Sequence, residues 1–214
     1  MAKPDRAMPT RKAEQSRETQ DRLMKAAKAL FTTKGYAGTP MEDLVAKAGM
    51  TRGALYHQYQ DKRDLFRAVF EAVEAELGQR LALAVAEETD PWQQLRAGAR
   101  AFLAAATDPA IRRIVLVDGP SVLGWEEWRR IDSQHSLGMV RAIFEINIAA
   151  GNIPEQPVEP LAHLIVGALN EAALAVAAAS DAAGAREEFA LSIERVLDAL
   201  RATATGGRKR AVHQ

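Results

Sequence analysis

Thr51-Arg52-Gly53-Ala54-Leu55-Tyr56-His57 is the stretch on which the reading of this chain turns. Thr51 is a candidate N-cap, and a short helix is expected from Arg52 to about Tyr56. Only Met50 separates that cap from Gly49, the stop signal of a preceding helix. In that preceding helix Thr39 is the expected N-cap, Pro40 the first helical residue and Glu42 the partner in a capping box. Met41, Leu44, Val45 and Ala48 recur at three- and four-residue spacing, the pattern of one buried stripe.

Two short helices joined through a glycine turn make a helix-turn-helix, whose second helix fits the DNA major groove. The residue types suit that task. Thr51 can cap the helix and donate to a phosphate. Arg52 can bond bidentately to guanine or clamp a phosphate. Gly53 and Ala54 are small enough for close approach to the groove floor. Leu55 has to point inward, and Tyr56, His57 and Lys62 carry donors suited to the phosphate backbone. Singly, each of these residues is as well explained as an ordinary helix surface. Their order and spacing favour DNA.

Outward from this element, nearly every segment reads as helix, and no stretch alternates as a strand does. The expected fold class is all-α, with about nine helices: a three-helix head and a helical body. A first helix is expected from about Ser16 to Lys34, closed by Gly35. Asp61, with Asp64 three residues on, caps a fourth that continues toward Glu87. Pro91 opens a fifth, and Asp108-Pro109 a short sixth. Asp118-Gly119-Pro120 reads as a turn. A long helix is expected over Trp125 to Ala150, another from Glu159-Pro160 to about Ser180, and a last one from after Gly184 to about Ala202. The expected division is a disordered basic arm at 1–15, a head at 16–62, a body at 63–202 and a disordered tail at 203–214.

Net charge is zero over 214 residues, but it is not evenly spread. Residues 1–70 hold 14 Lys and Arg against 8 Asp and Glu, a net charge of +6, and the remainder carries −6. A basic front and an acidic back suit two jobs in one chain. Cysteine is absent, which excludes disulfides, thiolate metal sites and a cysteine nucleophile. The opening residues are polar and charged with no apolar run behind them, so no secretory signal and a cytoplasmic location are expected. The apolar stretch Leu161 to Ala179 is interrupted by His163, Asn170 and Glu171, and reads as a packed helix rather than a membrane span.

The segment Ala26 to Leu65 resembles the tetracycline-repressor (TetR) family of bacterial transcriptional regulators. The resemblance lies in Phe31, Lys34-Gly35-Tyr36, Thr39, Glu42-Asp43-Leu44, Ala46, Ala48-Gly49, Gly53-Ala54-Leu55-Tyr56, Lys62 and Leu65. It implies that Arg52, Gly53, Ala54 and His57 face the groove, and that Thr39, Tyr56 and Lys62 hold phosphates. Many members carry His or Tyr where this chain has Gln58, and Phe where it has Tyr59. The resemblance also implies a body that dimerises and often binds a small molecule.

The body's own residues offer candidates for both roles. Ala168, Ala172, Ala175 and Ala179 line one small-residue helix, and Phe189, Ile193, Val196 and Leu200 an apolar stripe on the last. Two such helices from each of two copies would form a four-helix bundle, although both also suit packing inside one subunit. Paired heads could reach half-sites of a palindromic double-stranded operator roughly 34 Å apart. Phe102, Trp125, Trp128, His135, Met139, His163 and Asn170 are candidate effector-pocket residues, and equally suit a plain core. No phosphate loop, nucleophile elbow or zinc motif occurs, and the histidines lack metal-ligand spacing. The expectation is therefore a regulator with no enzyme activity, no cofactor and no membrane partner, most simply a repressor released by an effector. A regulator without an effector, or a helical enzyme or carrier with a vestigial helix-turn-helix, stays open at this point.

Overall fold

The computed structural model describes the backbone of residues 11–202 and the side chains of residues 17–201. It contains ten α-helices and one π-helical segment, and no strand among the described residues. The helices are α1 (Arg11–Lys34), α2 (Met41–Ala48), α3 (Arg52–Gln58), α4 (Lys62–Ala86) and α5 (Pro91–Ala105). After the π-helical segment Ile111–Asp118 come α6 (Gly119–Leu123), α7 (Trp125–Gln134), α8 (Ser136–Ala149), α9 (Val158–Ala178) and α10 (Ala182–Ala202). The expected arm therefore shortens, since residues 11–15 begin α1. Residues 1–10 and the tail 203–214 lie outside the described residues.

The chain divides into two compact units at Val69/Phe70, inside α4, rather than at 62/63. The first turns of α4 belong to the N-terminal unit because Leu65 and Phe66 are fully buried there. Phe66 meets Phe31 and Tyr36 edge-on, each ring 5.2 Å away, a preferred aromatic geometry.

Local signals set most boundaries. Gly49 ends α2 in the left-handed conformation (φ 63°), with its N–H on the Ala46 carbonyl and the Met50 N–H on that of Val45. The Thr51 hydroxyl accepts from the Ala54 N–H at 3.2 Å and caps α3. Asp61 accepts from the Asp64 N–H at 2.7 Å, while Asp64 accepts from the Gln60 N–H at 3.2 Å. Asp90 caps α5 through the Trp92 N–H.

Three expectations fail. Asp118-Gly119-Pro120 is helical, not a turn. A Cβ on Gly119 would lie 2.7 Å from the Phe70 ring and 3.1 Å from Trp128, so this glycine serves close packing. The helix expected over Trp125 to Ala150 is broken at His135 (φ −119°, ψ −92°), giving α7 and α8. The last helix starts at Ala182 and includes Gly184, whose N–H bonds to Asp181.

In the C-terminal unit α9 packs against α5, α8 and α10. It is long and apolar enough by composition to cross a membrane. Here Leu161, Ile165, Val166, Leu169, Ala173 and Val176 are buried in the protein core, where each large side chain contributes about 1.5–3 kcal/mol. Asn147, fully buried on α8, ties its helix to the start of α5 by donating to the Pro91 carbonyl at 3.0 Å.

Candidate nucleic-acid interface and effector cavity

On α3 the side chains divide by face. Leu55 is 0% exposed and anchors the helix, while Thr51, Arg52, Gly53, Tyr56 and His57 are exposed and Ala54 is half-buried. Gly53 has an ordinary helical backbone, and a Cβ there would meet nothing within 4 Å. Glycine costs a helix roughly 0.5–1 kcal/mol relative to alanine, and no contact among the described residues requires it. The Arg52 guanidinium lies 5.9 Å from the Tyr56 ring and 3.4 Å from the Glu42 carboxylate. Its pKa is raised further, chiefly by Tyr56 and then by Glu42, so it remains a cation at any working pH.

Thr39 and Lys62 are placed otherwise than the sequence suggests. Thr39 is 0% exposed, and its hydroxyl donates to the Gly35 carbonyl at 2.7 Å rather than capping α2. The α1–α2 turn thus uses the threonine to satisfy the carbonyl end of α1. Lys62 donates to the carbonyls of Tyr36 and Thr39 at 3.0 and 3.1 Å and lies 4.2 Å from the Tyr36 ring centre. It staples the start of α4 to the same turn. Tyr59 fills the core, its hydroxyl on the Met24 sulfur. The Gln58 Oε1 is buried with no hydrogen-bond partner.

In the C-terminal unit an apolar cavity lies among α4, α5, α8, α9 and α10, walled by Leu81, Phe102, Met139, Ile143, Leu169 and Leu197 with several smaller residues. Its free volume is about 30 Å³, well below the roughly 300–1,000 Å³ of ordinary ligand sites. Of the expected pocket residues, the structure brings Phe102 and Met139 to this wall. Trp128 is buried elsewhere, its ring N–H donating to the Val115 carbonyl. Trp125 and His163 line a surface groove with Arg129, and His135 lines another with Gly78. Asn170 is half-buried on α9 outside the cavity wall. The break at His135 puts Trp125 and Met139 on different helices, while His135 and Met139 still line one surface groove.

Two features escaped the sequence reading. The Ser136 hydroxyl is buried in the cavity wall with no hydrogen-bond partner. Glu74 on α4 is also buried, and its Oε2 has no partner. Burial, and then the nearby Asp132, raise the Glu74 carboxyl from 4.5 to about 8. Asp132, buried on α7, is raised chiefly by desolvation, opposed by Arg129, His163 and His135. A signal for Glu74 was present, since it is a lone acid within the apolar face carrying Phe70, Val73, Leu77 and Leu81.

Of the residues expected to dimerise, Ala168 and Val196 are exposed, and Ala175, Ala179, Phe189 and Leu200 are half-buried. Ala172 and Ile193 are buried within the subunit, where α9 packs on α10. Leu164, 71% exposed, and Gly167 lie on the Ala168 face of α9.

Comparison with known proteins places the fold in a known family. Residues 23–69 match the family described as bacterial regulatory proteins, tetR family, and residues 92–200 match the tetracyclin repressor-like C-terminal domain. The fold matches the crystal structure of a TetR-family transcriptional regulator from Pectobacterium atrosepticum with a TM-score of 0.75 and 35% identity, covering 90% of this chain and 98% of that one. The Tn10 TetC protein of Escherichia coli is 25% identical over 158 residues, which are 72% of this chain and 78% of that protein. The transcriptional regulator CymR of Pseudomonas putida is 34% identical over 116 residues, 47% of this chain and 57% of that protein. TetR-family regulators bind DNA and are dimeric, and the chain belongs to this family of helix-turn-helix transcriptional regulators.

Proposed function

We propose that this chain is a homodimeric repressor that reads a palindromic operator through α3 and leaves it when a small molecule enters the C-terminal unit. The observation that carries the DNA face is Gly53, an exposed helical glycine with open space where a Cβ would stand. Only a surface outside the chain gives its missing side chain a purpose. Arg52 and Ala54 flank it as base readers. Thr51, Tyr56 and His57 contact the backbone. Lys62 and Thr39 act by holding the α1–α2 turn, with at most one Lys62 N–H left for a phosphate. Pairing uses the exposed face of α9 and α10, with Leu164, Ala168, Ala175 and Val196 at its centre. Effector control runs through α4, which contributes Leu65 and Phe66 to one unit and Leu81 to the other's cavity wall.

The test is binding of the purified protein to the intergenic DNA beside its own gene, across a salt series. A two-fold symmetric footprint with affinity falling steeply with salt supports the reading. Binding that ignores both sequence and salt overturns it.

A further inference from the structure

Taking the effector reading as its basis, we propose that the cavity receives a small uncharged hydrocarbon-like molecule bearing one hydroxyl-type group, which hydrogen-bonds to Ser136. The wall selects for this class. Its large residues, Leu81, Phe102, Met139 and Leu169 among them, are apolar, and no charged side chain among the described residues lines it. Among the described residues Ser136 supplies the only hydroxyl or amide side chain in the wall. Its hydroxyl is buried without a partner, which is unfavourable until a ligand completes it.

An anionic ligand is disfavoured. Burying a charge without a counter-charge is costly. The nearest acid in sequence, Asp132 on the preceding helix, is itself buried, and its backbone carbonyl accepts from the His135 N–H at 3.1 Å. Its side chain is already engaged by Arg129 at 3.2 Å. Glu74 stands seven residues before Leu81 on the same face of α4.

The present size of the cavity has a mechanistic consequence. A space of about 30 Å³ does not admit a six-membered ring, since a dry cavity of roughly 150 Å³ is what accepts benzene. The ligand therefore binds a different, opened conformation. A ligand that binds two states unequally shifts the population between them. Met139, with a flexible unbranched side chain, and Leu81 of α4 are the wall residues best able to give way.

Phenol, toluene and benzoate, matched in ring size, test the class on the full-length protein. Binding is read by ligand-observed NMR and by the melting temperature, and control by release of labelled operator. Phenol is expected to bind about tenfold more tightly than toluene, one hydrogen bond's worth, and benzoate not at all at the same concentration. Ser136→Ala should erase the phenol advantage and leave toluene unchanged. Ala99→Leu, which fills the cavity, should weaken both, and Leu81→Ala, which enlarges it, should strengthen both. The opposite signs separate site occupancy from a folding defect.

Benzoate binding as well as phenol, an unchanged phenol-to-toluene ratio in Ser136→Ala, or no probe bound by the wild type and Leu81→Ala overturns the inference. Selective phenol binding with the operator still held keeps the site and defeats the effector reading. Operator release by a compound that phenol cannot displace keeps the effector reading and defeats this assignment.

Discussion

The Lys62 ammonium sits 4.2 Å above the ring of Tyr36 and donates to the same residue's carbonyl at 3.0 Å. One side chain thereby holds α4 to the α1–α2 turn by a cation–π contact and two carbonyl bonds. Lys62→Ala is expected to destabilise the protein by about 1.5–3 kcal/mol, the range for hydrogen bonds to a charged group. Thermal melting would show the loss, and operator affinity would fall with it at an unchanged salt slope. A slope smaller by about 1 with an unchanged melting temperature would instead mark a phosphate contact.

Gly53→Ala should move stability and binding in opposite directions. Nothing inside the chain resists the added methyl group, so the free protein should gain up to about 1 kcal/mol. Operator affinity should drop, since the methyl group would stand between α3 and the groove floor. Paired melting and fluorescence-anisotropy titrations check both halves. Unchanged affinity would remove Gly53 from the interface.

Glu42 holds the exposed Arg52 guanidinium at 3.4 Å. Glu42→Gln should release that cation and remove a negative charge from the side facing DNA, raising operator affinity a few-fold at low salt. Arg52→Ala should cost about 1–3 kcal/mol and relax preference at one base pair. Binding-site selection on the two variants distinguishes reading from gripping.

The Glu74 carboxyl, raised to about 8 by burial and by Asp132, is protonated in the folded chain at neutral pH. The unfolded chain releases that proton near the ordinary carboxylate value of 4.5. The stability it contributes is therefore complete below the ordinary value and lost as pH rises to about 8, at up to about 1.4 kcal/mol per unit. Asp132, shifted in the same direction, adds to the loss. Glu74→Gln should flatten the decline in denaturation midpoint between pH 5 and 9. An equally steep decline in the variant would exonerate Glu74.

Ala168→Glu on the exposed face of α9 should split the dimer with little change in subunit stability, because a charge is introduced where only solvent or a second copy can lie. Sedimentation at micromolar concentration would show monomers, and operator affinity would fall by orders of magnitude as the two-site geometry is lost. A dimer that persists would move the interface elsewhere.

Much of the head was legible because its determinants are local. The Thr51 cap, the Gly49 stop, the Asp61–Asp64 pair and the Leu44/Ala48 stripe each act within one or two helical turns. Thr39 was misassigned because an N-cap and a carbonyl-bonded buried threonine look alike in sequence. The choice fell to the end of α1, whose Gly35 carbonyl takes the hydroxyl. The body was less legible. His135 interrupts a run with continuous helical periodicity, and Gly119 reads as a turn until Phe70 and Trp128 are seen against it.

By itself the sequence determined the all-α class and the helix-turn-helix, since these follow from spacing and short-range capping, and its motifs carried the resemblance to the family. Tertiary structure alone decided which polar groups lost their water. It buried the Ser136 hydroxyl in an apolar wall, set Glu74 against Asp132, and turned Lys62 onto two carbonyls. Those outcomes depend on partners distant in sequence, and burial, which sets the strength of every polar interaction, is a property of the packed chain rather than of any residue in it.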